Sequence, residues 1–197
     1  GYKHNFELFI KIAERFPKVV ILISSSGKFA SKLKQIPNIK VTNWVNYKNL
    51  SSFLSIADAF IVTLDSDAST FSVPSKIYAY LTIGRPILGS MPLENLGSKK
   101  IKRMKVGYVS KPENINNFMN HCKKIIKNKE YRPDPYFSVR IKIYKTFWRE
   151  NNEKNNNIPI KCSINFCCIF IFNKCSKISR VLYDRNWWTN WSLFPDW

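Results

Sequence analysis

Apolar residues along this chain alternate between two rhythms. Strand-length segments rich in β-branched and aliphatic residues occur at 19–23, 39–44, 59–64, 86–89 and 107–109, bounded by Gly, Pro, Asn or Ser. Between them, helical spacing takes over. Phe6, Phe9, Ile10 and Ala13 fall on one stripe that Pro17 closes, and residues 50–57 read as a second helix. A third covers 75–83, and a fourth covers 115–127 with Ile115, Phe118, Met119, Cys122 and Ile126 inward. The run at 19–23 has no polar interruption, as a central strand buried on both faces requires. Alternation of this kind predicts an α/β fold: a Rossmann-like parallel sheet with helices on both faces, and ligands at the carboxyl ends of its strands.

Residues 72–84 carry the densest chemistry. Ser72 is placed to cap a helix, Pro74 suits its first turn, and Gly84 stands where a left-handed residue ends it. Amides at such a start, with the helix dipole and the ammonium of Lys76, attract a diphosphate without any catalytic side chain. Ser72, Ser75 and Lys76 are therefore candidate diphosphate ligands. Most capped helices bind no anion, and that plainer reading applies to the spacing taken alone.

The order of residues adds a resemblance. Pro74, Ser75 and Lys76 are followed by Tyr80 and Leu81, by Gly84, Arg85 and Pro86, and by the turn Pro92, Leu93, Glu94 and Asn95. This resembles the donor-sugar region of the retaining family 4 glycosyltransferases of GT-B architecture. The opening residues Gly1, Tyr2, Lys3, His4 and Asn5 are similar to the turn after the first strand of the same domain. The resemblance covers about residues 1–129 and fades through 150.

It implies one half of a GT-B fold, with the strand before Gly1 and the acceptor-binding N-terminal domain absent from this sequence. The implied units are a nucleotide-sugar-binding Rossmann-like domain at 1–129, a C-terminal helix at 130–150, and a disordered tail at 151–197. The implied function is donor binding for a retaining hexosyl transfer in surface polysaccharide or glycolipid assembly. A nucleotide-diphospho-sugar would be the substrate, with no cofactor and no metal. Lys3 joins the diphosphate candidates, and His4 is a candidate for the donor sugar. Many family members hold the ribose with the second of two glutamates eight residues apart; Phe71 and Ala79 occupy those positions here, which leaves Glu94 as a substitute or as an ordinary turn carboxylate. The fragment alone is expected to transfer no sugar. Two alternatives stay open: a non-catalytic basic α/β domain docking on an anionic membrane or partner, and half of a nucleotide-sugar epimerase of GT-B architecture.

Charge bears on those alternatives. The chain of 197 residues has a formal net charge of +19, and the tail 151–197 carries only six Lys/Arg against three Asp/Glu, which leaves +16 on residues 1–150. A lysine-rich coding bias accounts for such a balance, and so does attraction to an anionic membrane surface. Nucleic acid is not expected, since no zinc finger, RNA-recognition motif or basic zipper is present. A cytoplasmic location is expected, since the cysteines form no disulfide framework, and one peripheral to the inner face of a membrane if the charge is used there.

Asp65 and Asp67 follow the third strand as a loop that shapes a sugar pocket rather than a metal pair, and Trp44 with Val45 marks a strand end where a nucleobase or the core fits. The five cysteines are odd in number and lack zinc spacing, so a reduced state is expected. The apolar run 164–172 is too short to span a bilayer. Trp187, Trp188 and Trp191 would each become glycine if the codons were read one base later, so the tail reads either as out-of-frame translation or as an aromatic interaction patch.

Overall fold

In the computed structural model, residues 6–25, 30–43, 45–66, 75–128 and 169–172 are described. They form six helices and six strands in the order α1 (Phe6–Arg15), β1 (Val20–Ser24), α2 (Ala30–Leu33), β2 (Ile39–Thr42), α3 (Tyr47–Ser55), β3 (Phe60–Thr63), α4 (Lys76–Ile83), β4 (Ile87–Ser90), α5 (Leu96–Arg103), β5 (Gly107–Ser110), α6 (Ile115–Lys127) and β6 (Ile169–Phe172). The expected α/β class is observed, and five strands run parallel in one sheet of order β2-β1-β6-β3-β4-β5.

Alternation along the strands puts a core on each face. Phe60 and Val62 of β3 pack with Phe53 and Leu54 of α3, Ile77, Tyr80 and Leu81 of α4, and Ile101 of α5. Their neighbours Ala59 and Ile61 point the other way, joining Leu8, Phe9 and Ile12 of α1, Leu33 of α2, and Phe118, Cys122 and Ile125 of α6. Successive strand residues must face opposite sides, so a sheet with such continuous apolar strands is covered on both. Phe60 stacks on Tyr80 with ring centroids 4.0 Å apart and planes within 1°. Asn38, just ahead of β2, donates from Nδ2 to the carbonyls of Ala13 and Phe16 at 3.0 and 3.4 Å, satisfying acceptors that the end of α1 leaves over.

Two positions show the backbone dictating residue type. Gly84 ends α4 with φ of 75°, the left-handed conformation expected of it. Gly107 lies opposite Ile87 in the β4–β5 ladder, where an added Cβ would overlap the Ile87 carbonyl.

The sixth strand departs from expectation. Ile169–Phe172 falls in the tail read as disordered, yet it is a strand and lies antiparallel between β1 and β3. It pairs with four residues of β1, from Val20↔Phe172 to Ile23↔Ile169, and with Phe60 and Ile61 of β3. β1 and β3 do not pair with each other, so each offers an edge to this place in the sheet. Two such edges form a template for any extended apolar segment, and the short run 169–172 meets that need from far along the chain. The helix expected at 130–150 lies outside the described residues. No described helix is long and apolar enough to cross a membrane.

Candidate functional site

The carboxyl ends of the parallel strands form one polar rim. β1 ends at Ser24, whose Oγ donates to the Asn43 carbonyl at 3.0 Å, and the Ser25 amide continues the ladder to Thr42. β3 runs out through Thr63 and Leu64 to half-buried Asp65. β4 and β5 end at the buried Ser90 and Ser110, and the amides of Leu64 and Met91 extend the pairing to their carbonyls at 2.9 and 3.0 Å. Small hydroxyl residues close the strands here, and the buried Leu64 and Met91 follow β3 and β4.

α4 begins at this rim, because it connects the adjacent parallel strands β3 and β4 and a crossover helix must start at the carboxyl edge it leaves. Ser75 is the N-cap and is exposed, and its side chain makes no capping hydrogen bond to the first turn. Lys76 is the first helical residue, half-buried, with the dipole of the helix behind it. Beyond the cap, Ile77, Tyr80 and Leu81 are buried and anchor the helix to the sheet. The helix therefore begins one residue later than the 75–83 expected. Ala79, where the resemblance would put a glutamate, packs against the core.

α5 opens at the same rim, after the turn from β4. Asn95 caps it, its side chain accepting from the Gly97 amide at 2.8 Å, and Ser98 Oγ donates to the Pro92 carbonyl at 2.6 Å. These two buried bonds fix the turn that carries Glu94, which projects into solvent. Lys100 Nζ reaches back to α4, donating to Tyr78 Oη at 3.2 Å and lying 4.3 Å above its ring. α4 and α5 are thereby tied side by side with both starts on the rim. α5 as a helix was not anticipated from sequence. Asn95, a capping residue ahead of Ile101 and Met104, is the signal that could have found it.

Ser75, Lys76 and Glu94 are the site candidates that the structure places. Lys3, His4 and Ser72 lie outside the described residues, as do Trp44, Asp67 and Phe71. An open depression of about 630 Å³ lined by Lys11, Lys111, Glu113, Asn114, Ile115 and Asn116 sits instead between α1 and the start of α6. Its walls are exposed polar side chains with the half-buried Ile115 among them. Among the described residues no cluster of three His, Cys, Asp or Glu is arranged to hold a metal.

Two groups that titrate lie away from the rim's centre. His121 of α6 stacks on Tyr108 at 4.8 Å and has Nδ1 3.0 Å from Ser110 Oγ; burial, and then the charge of Lys124, lower its pKa. Cys122 is buried in the core beneath the sheet, where desolvation pushes its thiol up to about 12 and leaves it unreactive.

No protein-family model matches the chain, and no curated protein sequence matches it.

Proposed function

We propose that the chain binds a nucleotide-diphospho-sugar and forms the donor half of a retaining glycosyltransferase. The observation that carries this is the start of α4: an exposed Ser75 with no capping bond and Lys76 in the first turn, at the carboxyl edge of a parallel sheet. Amides and a cation at a helix start suit a diphosphate, and ligands of parallel sheets bind outside the carboxyl ends of their strands. The family resemblance of residues 74–95 supports the same reading. In it, Lys76 and the first-turn amides hold the diphosphate and stabilise its charge as it departs. Donor binding of this kind requires no catalytic side chain.

The test is calorimetry of the purified chain with a nucleoside diphosphate and with the matching nucleoside, across the common bases. The diphosphate should bind more tightly, and Lys76→Ala should erase at least about tenfold of that preference, since a charge-assisted hydrogen bond contributes about 1.5–3 kcal/mol. Equal affinity for nucleoside and diphosphate with every base overturns the cradle.

A further inference from the structure

The outward stripe of α5 combines features that a merely solvated helix face does not need. Its inner stripe is Gly97, Ser98 and Ile101. On the opposite side, at spacings of three, four and seven, stand Leu96, Lys99, Lys100 and Arg103. Leu96 is 61% exposed, and the other large apolar side chain exposed among the described residues is Tyr78 at 39%. Lys100 bridges the two helices by its contacts to the Tyr78 hydroxyl and ring. The exposed Lys102 and Lys105 widen the patch, and residues 95–112 carry six Lys/Arg and no Asp or Glu.

We propose that this α4–α5 face, built on Tyr78, Leu96, Lys99, Lys100 and Arg103, is a docking surface for an anionic lipid bilayer. Cations in one stripe attract the leaflet, while an aliphatic and an aromatic residue among them enter the boundary between headgroups and acyl chains. Charge complementarity selects an anionic partner, and Leu96 selects a lipid one, because an exposed leucine offers nothing to a phosphate backbone. Tyr78 is also a poor base-stacking platform with Lys100 already over its ring. Both helices start at the carboxyl rim, so a bilayer against them lies beside the α4 cradle and would bring a lipid-borne acceptor to that edge. The surface stands on exposure and charge alone and holds whether or not the chain binds a nucleotide-sugar.

Sedimentation of the full chain with phosphatidylcholine vesicles, alone or containing about 30% phosphatidylserine, tests this without any nucleotide. Binding should require the anionic lipid and weaken as salt rises. The double reversal Lys99→Glu, Arg103→Glu should weaken it at least about tenfold, while the equal change of charge on α6, Lys123→Glu with Lys127→Glu, should leave it within about twofold. Leu96→Gln, with no change of charge, should also reduce it. All these side chains are exposed, and circular dichroism verifies that each variant keeps the fold. Equal losses from the α5 and α6 reversals would reduce the effect to net charge and overturn the assignment. An unchanged Leu96→Gln would do the same, and so would tighter binding of a single-stranded oligonucleotide that competes with vesicles.

Discussion

The two halves of the sheet are built on different principles. β3, β4 and β5 are consecutive in the chain and adjacent in space, each joined to the next by a helix of eight residues that packs on the same face. β1 and β2 form a parallel pair of their own, and only β6 hydrogen-bonds that pair to the rest of the sheet. The first half is held by local units whose contacts lie close in sequence. The second depends on β6, which lies more than 100 residues further along the chain than either strand it pairs with. Beneath the sheet, however, α1 and α6 share a core with Ile21, Ile23, Ile61 and Leu88, so apolar packing joins what the ladder joins through one strand alone.

The sharpest way to break this contrast is Phe170→Pro. Proline removes a ladder donor and is excluded from strands paired on both sides. Residue 170 is opposite both Leu22 and Phe60, so the substitution should release β6 from both neighbours. Hydrogen exchange should then rise most at Leu22, whose amide faces β6, while Ile21, bonded to the Asn38 carbonyl on the β2 side, and Leu88 and Gly89, whose bonds lie within the consecutive half, should change much less. Uniform protection across β1 and β4, equal to that of the unaltered chain, would show that β6 does not join the halves.

What could be read in advance follows the same division. α6 occurs over the residues expected, because its apolar stripe is wide and Asn114 caps it, accepting from the Asn117 amide at 3.0 Å. Ile125, not named inward, is buried while Ile115, Met119 and Ile126 are only partly so, a rotation of the stripe toward Phe118 and Cys122. α5 was hidden by its composition: Gly97 and Ser98 are weak helix formers and Ile101 is its one buried large apolar residue, so packing and the Asn95 cap decide it. The place of β6 was hidden for another reason. The run 164–172 states that it is apolar but not which edges await it, and register between distant strands is a property of the partners. At the site, the end of α4 was legible because the left-handed signal of Gly84 is local, whereas the cap expected at Ser72 lies outside the described residues and Ser75 makes no capping bond. The tie between Tyr78 and Lys100 was not, since it joins two helices across a strand.

Within the consecutive half, two left-handed residues sharpen the account. Gly84 ends α4 at φ 75° and Lys105 follows α5 at φ 52°. An L side chain in that conformation costs about 1–2 kcal/mol, a cost glycine avoids. Gly84→Ala should therefore destabilise by about 1–2 kcal/mol, and Lys105→Gly should stabilise by up to about 1 kcal/mol, after the greater freedom of glycine in the unfolded chain is subtracted. Urea unfolding monitored by circular dichroism reads both. Shifts of the same sign would mean that the helix ends relax, and that local geometry governs this half less than its contacts suggest.

The smallest expected effect is at the far edge of that half, where α6 meets β5. His121 is held neutral by burial and by the nearby charge of Lys124, with the Tyr108 ring against it and Ser110 Oγ beside Nδ1. Its folded pKa lies below the ordinary value of 6.5, so the unfolded chain takes up the proton first as pH falls. Stability is then unaffected by this group well above 6.5, declines as pH drops below that value, and levels once the folded imidazole is itself protonated. Lys124 is partly turned toward the Tyr108 ring, 5.5 Å from its centroid, and the imidazole is only half-buried, so solvent screens the repulsion and the slope should be shallow. His121→Gln keeps a polar group near Ser110 and removes the titration. The difference in unfolding free energy between the two proteins, followed from about pH 8 to 5, should shift in favour of the variant as pH falls. A difference that stays constant across that range, or that moves toward the unaltered protein, would show that His121 is not desolvated and that the α6 edge is looser than the β3–β5 units it covers.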